Sequence, residues 1–338
     1  MGHRLPRGID IQQNAQNPQG RQAMRPTDDY TRFEKLVHRF DPHARLMRHR
    51  SLPGGYSADV TVLELEAGDG TSRKLIHRLH GEVDLQQNPN VAADEFRVLQ
   101  LTHAAGLATP APVYLDATDP LFPTPSLVLE YAEGKTDLKP TDPAEYVTQM
   151  ARELARIHRM DTASRDLSFL LRVEDDCASA IGRPPETPGV TTGERELVEM
   201  LAPCWPLPRK NTPVVLHGDY WPGNTLWQNG LLTAVIDWED TRRGDPLFDV
   251  SNARFEILML FGAEIMESFT RHYEFQNPVD SGCLPWWDAY TAFRVVNKLD
   301  FLATDERDES LIRADHHWFV EQARSRMGSC RASHLPPK

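Results

Sequence analysis

The stretch "VVLHGDYWPGNTLWQNGLLTAVIDWED", residues 214–240, places polar side chains between two apolar segments. His217, Asp219 and Asn224 stand on one short loop, and Asp237 directly follows an apolar run that comes after an Asn-Gly turn. A plain hairpin does not need acid and amide side chains at the ends of buried strands. Carboxylate and amide oxygens are ligands that Mg²⁺ prefers, and they leave coordination positions for phosphate oxygens. The stretch therefore predicts chemistry on a metal-bound nucleotide.

The spacing within this stretch predicts separate roles for its side chains. Pro222 and Gly223 bend the loop, so that Asp219 and Asn224 can turn toward one cavity. A carboxylate that does not bind the metal can orient a hydroxyl group and accept its proton. Protein kinases use this arrangement, with an Asp on the catalytic loop, an Asn five residues later and an Asp at the end of a strand.

The composition is that of a soluble globular protein. Of the 338 residues, 40% are hydrophobic and 25% are charged, and no apolar run is long enough to span a membrane. Residues 1–30 are rich in Gln, Asn and Arg and lack the apolar segment of a secretory signal. We therefore expect a flexible N-terminal tail and a cytoplasmic location.

The charge and the cysteines limit the classes of partner. A formal net charge of −12 argues against nucleic-acid binding, for which a basic stripe is typical. The acid excess fits a cationic substrate, although solubility alone also explains it. The four cysteines lack the CxxC spacing of a zinc site and do not suggest a disulfide framework. We expect no nucleic-acid or membrane partner, and the oligomeric state stays open.

The N-terminal half is predicted to form a small antiparallel sheet with one main helix. Apolar spacing predicts a helix over 31–40, and alternation with a Gly-Asp-Gly hairpin turn at 68–70 predicts three strands over 50–79. A helix that ends near Gly106 and two further strands complete a predicted N-lobe over 31–132.

The other half is predicted to be mostly helical. One helix is expected to begin after Thr141 or Asp142, and helical patterns return over 192–203 and over much of 247–270 and 286–328. The strong strand signals of this half are limited to 214–216, 225–227 and 232–236. We therefore predict a C-lobe over 133–328, a tail over 329–338 and an α+β fold. The apolar residues of the first C-lobe helix share one face: Val147, Met150, Ala151, Leu154 and Ile157.

Three segments in order carry a family resemblance: "HGDYWPGN", "VIDWED" and "GDPLFDVSN". Together they are similar to the bacterial aminoglycoside phosphotransferase and related small-molecule kinase family, and the likeness covers roughly residues 31–325. The resemblance implies a protein-kinase-like two-lobe fold. The small antiparallel-sheet lobe would bind the nucleotide, and the larger helical lobe would carry the catalytic loop, the metal site and the acceptor site.

The resemblance also implies roles for five residues. Asp219 would be the catalytic base, and Asn224 and Asp237 would hold Mg²⁺. His217 would brace the loop through backbone contacts, and Asp249 would tie the catalytic loop to the first helix after the metal site. Taken singly, each has a simpler explanation as a structural histidine, a turn former or an N-cap. The ordered set favours the functional interpretation.

The nucleotide-binding residues are indicated less directly. Aligning "LIHR" with the kinase lysine pattern makes Arg78 the cation on the third strand, with Glu95 as its partner on the helix. Arginine can bind phosphate in a bidentate manner and keeps its charge. Lys74 and His77 are alternative candidates, because the register is uncertain by one or two residues.

Two further segments complete the predicted nucleotide site. Gly55 and Ser57 lie in "PGGYSADV", where a phosphate-binding turn is expected, although a plain β-turn explains the glycines as well. Backbone groups from Glu130 to Ala132 match the hinge that meets adenine in kinases. This assignment is positional, because those side chains carry little information.

The function predicted from these features is ATP-dependent transfer of the γ-phosphoryl group to a hydroxyl of a small molecule, an aminoglycoside or another amine- or sugar-containing acceptor. A catalytically weak, kinase-like nucleotide-binding regulatory module is the alternative, because the usual lysine is missing. A protein kinase is disfavoured, since no D-F-G or A-P-E follows Asp237. Five acids near the C-terminus are candidates to receive a cationic acceptor, or form a solvated surface: Asp300, Asp305, Glu306, Asp308 and Glu309.

Overall fold

The computed structural model separates into two units. The C-terminal unit contains Lys135–Leu232 and the described residues from Asp240 onward, and the N-terminal unit contains the described residues up to Gly134 together with Thr233–Glu239. Strands dominate the N-terminal unit and helices the C-terminal unit, so the predicted α+β class is confirmed. The structure describes residues 26–52, 58–118, 120–163, 165–182, 191–299, 302 and 306–332.

The N-terminal unit is built on an antiparallel sheet of five strands: β1 (Arg45–Leu52), β2 (Ala58–Glu66), β3 (Ser72–His80), β4 (Pro112–Asp116) and β5 (Ser126–Glu130). Their order across the sheet is β1-β2-β3-β5-β4. The predicted Gly-Asp-Gly turn joins β2 to β3, where Gly70 has a φ of +80° and its N–H donates to the carbonyl of Ala67 at 2.8 Å. Positive φ is favourable for glycine, which has no Cβ.

Two helices cover opposite faces of this sheet. Adjacent residues of a strand point to opposite faces. His77 of β3 lies 5.2 Å from the ring of Phe33, whereas Arg78 contacts Glu95. The helix that carries Phe33 therefore packs on one face, and the helix that carries Glu95 on the other. The helices of this unit are α1 (Pro26–Phe40), α2 (Glu82–Gln87) and α3 (Val91–Ala104).

Helices form most of the described C-terminal unit: α4 (Pro143–His158), α5 (Val173–Ile181), α6 (Thr192–Leu201), α7 (Leu247–Phe261), α8 (Ala263–Gln276), α9 (Leu284–Val295) and α10 (Glu306–Ala332). The predicted apolar face of α4 is buried at every position, and α4 packs against α8. α7 contacts α8, α9 and α10 and is buried except at Glu256 and Phe261. Within the described residues, no helix is long and apolar enough to cross a membrane.

Short strands flank the predicted catalytic loop: β6 (Val214–Leu216), β7 (Thr225–Gln228), β8 (Leu231–Val235) and β9 (Arg242–Gly244). β6 pairs with β9, and β7 pairs with β8. Along β8 the chain passes from the C-terminal unit into the N-terminal unit, so Asp237 belongs to the unit that contains the sheet. β9 was not predicted, because "RRG" shows neither alternation nor an apolar run.

The N-terminus of α4 gives a stability test. The carboxylate of Asp142 accepts the backbone N–H groups of Ala144 and Glu145, both at 3.1 Å, which makes it the N-cap. Asp142→Ala should lower the free energy of unfolding by about 1 kcal/mol, because two N–H groups lose their acceptor. The matched control is Thr141→Ala, an exposed neighbour that does not cap the helix. Equal urea-unfolding curves for the two variants would contradict the assignment.

Candidate active site

The predicted catalytic loop is held by one buried carboxylate. Asp249 lies near the start of α7, and its Oδ2 and Oδ1 accept the backbone N–H groups of His217 at 2.7 Å and Gly218 at 3.0 Å. The ring of His217 is fully buried, and its Nδ1 accepts the N–H of Asp219 at 3.3 Å. Asp249 and His217 therefore both contact the backbone of this loop. They place Asp219 at a defined point just beyond β6.

A second buried histidine extends this anchor to two more helices. Nε2 of His158, at the end of α4, lies 3.0 Å from Oδ2 of Asp249, and its Nδ1 lies 2.7 Å from the hydroxyl of Tyr273 on α8. All three side chains are buried. A buried carboxylate needs such partners, because leaving it unsatisfied carries its full desolvation cost. The loop is therefore fixed to the helical core and is not a free surface loop.

Two amides orient the carboxylate of Asp219. Nδ2 of Asn224 donates to Oδ2 of Asp219 at 3.1 Å and to its main-chain carbonyl at 2.9 Å. Nδ2 of Asn252, on α7, lies 3.4 Å from Oδ1 of Asp219. Because the nitrogen of Asn224 faces Asp219, its amide oxygen is the atom left to act as a metal ligand.

Glu256 is one helical turn beyond Asn252 on α7. Burial raises the pKa of Glu256 to about 8, and the negative charge of Asp219 acts in the same direction. The residue as a whole is partly exposed, in a helix whose residues are otherwise almost all buried. It places a second titratable acid close to Asp219.

The N-terminal unit gathers a guanidinium and three carboxylates. Nε of Arg78 lies 3.2 Å from Oε2 of Glu95, and its Nη2 contacts Oδ1 of Asp237 and, at 2.5 Å, Oε2 of Glu239. Nε2 of His80 lies 2.8 Å from the same oxygen of Glu95. Burial alone would raise the pKa of Glu95, but Arg78 and His80 outweigh it, so that the pKa stays below its ordinary value.

Of the three candidate cations on β3, Arg78 contacts Glu95, the predicted helix partner. Lys74 is half exposed and pairs with Glu133 at 3.1 Å. His77 is buried on the other face, with its ring centroid 4.3 Å from that of Phe122. Burial lowers the pKa of His77 to about 3, so this ring is neutral at physiological pH and cannot act as the cation.

Asp237 adopts an unusual backbone conformation. Its φ is +71°, in the left-handed region that non-glycine residues rarely occupy. Such conformations cluster at functional sites, because the surrounding structure must compensate their cost. The neighbouring Trp238 is buried, and its Nε1 donates to the carbonyl of Val235 at 3.0 Å, which fixes this segment after β8.

The remaining predicted nucleotide residues receive unequal support. Gly55 and Ser57 lie outside the described residues. The N–H of Glu130 donates to the carbonyl of Ala111 at 2.8 Å, and its side chain pairs with Arg73 at the surface. The N–H of Glu130 is therefore committed within the unit.

Several residues around Asp219 and around Arg78 were not singled out from the sequence. His158 and His80 gave no signal, since each is a lone histidine in an ordinary helix or strand. Asn252 and Glu256 could have been found, because they follow Asp249 by three and then four residues and so share its helix face. Glu239 stands two residues after Asp237, but only the fold shows that it contacts Arg78.

Gly218 allows a test of the loop geometry. Its φ is +90°, and an added Cβ would lie 1.8 Å from the carbonyl oxygen of Asp240. Gly230 has a similar φ of +76° with nothing within 4 Å of an added Cβ. Gly230→Ala should cost about 1 kcal/mol of unfolding free energy from backbone strain alone. Gly218→Ala should cost clearly more, because backbone must also move; equal losses in urea unfolding would contradict this.

Glu256 predicts a pH-dependent stability difference. Its pKa is raised from 4.5 to about 8 in the folded state, so the native state stays protonated while the unfolded chain ionises, and stability is lost as pH rises from about 4.5 to about 8. Glu256→Gln should therefore match the wild type near pH 4. The variant should become more stable than wild type by at least about 1 kcal/mol at pH 8 and above. Thermal unfolding across this range checks the sign, and a constant difference would show that the pKa is not raised.

Comparison with known proteins gives both short and long matches. The chain is 37% identical over 68 residues to hygromycin-B 4-O-kinase of Escherichia coli, and the match covers 20% of this chain and 19% of that protein. It is 26% identical over 194 residues to mouse acyl-CoA dehydrogenase family member 10, and the match covers 53% of this chain and 18% of that protein. The chain thus spans less than a fifth of the length of these curated relatives.

A solved structure matches along nearly the whole chain. The structure of APH(2")-IIIa in complex with GDP and kanamycin has a TM-score of 0.60 and 14% identity, and the match covers 90% of this chain and 99% of that one. This likeness shows the fold, so the predicted protein-kinase-like fold is confirmed. The profile of the phosphotransferase enzyme family matches residues 48–287, more than half of the chain. The chain therefore belongs to the phosphotransferase enzyme family.

Proposed function

We propose that this phosphotransferase moves the γ-phosphoryl group of ATP to a hydroxyl group of a small, cationic molecule. The observation that carries the proposal is the setting of Asp219. Its carboxylate is oriented by Asn224 and approached by Asn252, on a loop that Asp249 anchors to the helical core. A carboxylate fixed in this way can orient a hydroxyl with little further loss of entropy.

The step that Asp219 would serve is an in-line transfer. The acceptor oxygen forms a bond to the γ-phosphorus, the bond from that phosphorus to the β,γ-bridging oxygen breaks, and ADP leaves. The proton of the hydroxyl passes to Asp219 late in the step. Most of the rate acceleration would come from positioning and electrostatic stabilisation, because phosphoryl transfer needs little help from proton transfer.

Mg²⁺ would be held by Asn224 and Asp237. Both offer oxygen ligands of the kind that Mg²⁺ prefers, and the nitrogen of Asn224 is already turned to Asp219. The side chain of Asp237 is 30% exposed, so solvent and phosphate oxygens can complete the coordination. The ion would neutralise negative charge on the phosphates.

We assign nucleotide binding and acceptor binding to different predicted lobes. Residues 31–132 would bind the nucleotide, with Arg78 contacting phosphates and the backbone at Ala132 meeting adenine. Residues 133–328 would supply the catalytic loop and the acceptor site. Support for the phosphate role comes from the fixed charge of Arg78, whose guanidinium is oriented by Glu95 at 3.2 Å.

Support for a cationic acceptor comes from Glu256. Without a cation, Glu256 is neutral below about pH 8, but an ammonium group placed near Asp219 and Glu256 would favour its ionised form and would then meet two carboxylates. The acids predicted from sequence contribute less. Asp300 and Asp305 lie outside the described residues, as does the side chain of Glu306, and Glu309 pairs with Arg313 at 2.7 Å on α10.

The central prediction concerns Asp219→Ala. This variant should lose about 10²- to 10⁴-fold in kcat, because the acceptor hydroxyl loses its orienting base. The Kd for ATP should change little, since Asp219 would contact the acceptor rather than the nucleotide. Acceptor-stimulated ADP release measures the first quantity, and calorimetry measures the second.

The matched control is Asp175→Ala, which removes the same charge from an exposed position on α5. Aminoglycosides, macrolides, amino alcohols and sugars form the acceptor panel, each tested with ATP and with GTP. Wild-type turnover by Asp219→Ala would exclude Asp219 as the base. Nucleotide binding without stimulated release for any acceptor would instead favour the regulatory module.

A further inference from the structure

Arg78 contacts more carboxylates than a phosphate-binding cation needs. Its Nη2 contacts both Asp237 and, at 2.5 Å, Glu239, while its Nε lies 3.2 Å from Glu95. Nε2 of His80 lies 2.8 Å from Oε2 of Glu95 and 3.6 Å from Oε2 of Glu239. One helix glutamate is enough to orient the guanidinium. The two other acids therefore need a separate explanation.

Asp237 has two competing partners. In the proposed function it is a ligand of Mg²⁺, whereas in this structure its Oδ1 contacts the guanidinium of Arg78. A divalent ion on Asp237 would repel a guanidinium at this distance, and the repulsion is strong where water is excluded. Arg78 must then leave or loosen its contact with Asp237. A largely buried guanidinium that leaves one carboxylate needs another, because an unpaired buried charge is unfavourable.

Glu239 is placed to be that other partner. It contacts the same nitrogen of Arg78 as Asp237 does. Its side chain is 9% exposed, whereas that of Asp237 is 30% exposed, so Glu239 faces the protein and Asp237 faces solvent more. Trp238 lies between them in sequence and is buried, which holds the two acids in fixed positions around it.

We propose that Glu239 is a positioning residue that retains Arg78 when metal-bound nucleotide takes Asp237. This inference rests on the proposed function, since Mg²⁺ and ATP must bind for the exchange to occur. Glu95, which Nε2 of His80 contacts at 2.8 Å, stays beside Nε of the guanidinium throughout. The exchange also explains why an arginine stands at this position. The planar guanidinium has five donors and can contact three acids at once and release one of them. A lysine ammonium is less suited to this, because its charge is concentrated on one nitrogen.

A metal ion in place of the guanidinium is the competing interpretation. One nitrogen of His80 and one oxygen each of Glu95 and Glu239 lie within 4.8 Å of one another. However, the guanidinium of Arg78 lies on the same two carboxylate oxygens. A fixed cation therefore already neutralises them, and we infer that no further ion is needed there.

The test is calorimetric titration of Mg²⁺ into the full-length chain saturated with a non-hydrolysable ATP analogue. Glu239→Gln keeps the size and an acceptor oxygen but removes the charge, so Arg78 should depend more on Asp237. The Kd for Mg²⁺ should rise about tenfold, the effect expected from weakening one charge-assisted hydrogen bond. Glu66→Gln is the control, because it removes an exposed glutamate of the same sheet that pairs with Arg45 at 2.6 Å.

A double-mutant cycle separates the proposed route from a direct effect of charge on the metal. In an Arg78→Gln background, Glu239→Gln should no longer weaken Mg²⁺ binding, because the residue through which it acts is gone. Glu239→Asp keeps the charge and should give a smaller loss than Glu239→Gln. It also provides a second variant if Glu239→Gln does not fold, which thermal unfolding will show.

Three outcomes would overturn the inference. The first is a Kd for Mg²⁺ in Glu239→Gln that stays within about twofold of wild type, below the tenfold effect of a lost charge-assisted bond. The second is an undiminished effect of Glu239→Gln in the Arg78→Gln background. The third is Zn²⁺ or Mn²⁺ binding without nucleotide that His80→Gln abolishes. If wild type itself binds no Mg²⁺ with the analogue, the proposed function fails too, whereas wild-type binding with an unaffected Glu239→Gln overturns this inference alone.

Discussion

The carboxylate of Asp249 accepts two consecutive backbone N–H groups, those of His217 and Gly218, and is itself held by His158. Everything proposed for Asp219 depends on this contact. A loop between short strands would otherwise be free to move, since its own hydrogen bonds are few and local. Because the anchor is buried, losing it would leave a charge and two N–H groups unsatisfied. The geometry of the loop that carries Asp219 therefore depends on the packing of the helical core in the C-terminal unit.

In the N-terminal unit, one guanidinium lies among several acids. Arg78 lies among Glu95, Asp237 and Glu239, and the pKa of Glu95 stays low although the group is buried. Three acids held this close together would repel one another if no neighbour carried a compensating charge. An arginine on β3 supplies that charge in a fixed place. The left-handed backbone at Asp237 brings the acid to it.

Much of the architecture could be predicted because it depends on local pattern. The buried face of α4 follows from its apolar spacing, its start from Asp142, and the β2–β3 hairpin from glycines that accept positive φ. The short strand β9 and the helices α2 and α5 were missed, since three to nine residues carry too little periodicity. The register of β3 was ambiguous for a similar reason, because Lys74, His77 and Arg78 all fit a third-strand cation until their contacts were known.

Asp219, Asn224 and Asp237 could be singled out as candidate reactive groups without a structure, because the motif that contains them is defined by spacing along the chain. The sequence also determined the family. Two other features needed the folded structure: Arg78 contacts Asp237 and Glu239, which lie 159 and 161 residues away from it, and Glu256 lies near Asp219. Such contacts depend on how strands and helices pack against each other. No local pattern encodes that packing, so the electrostatic environment of each group is a property of the fold.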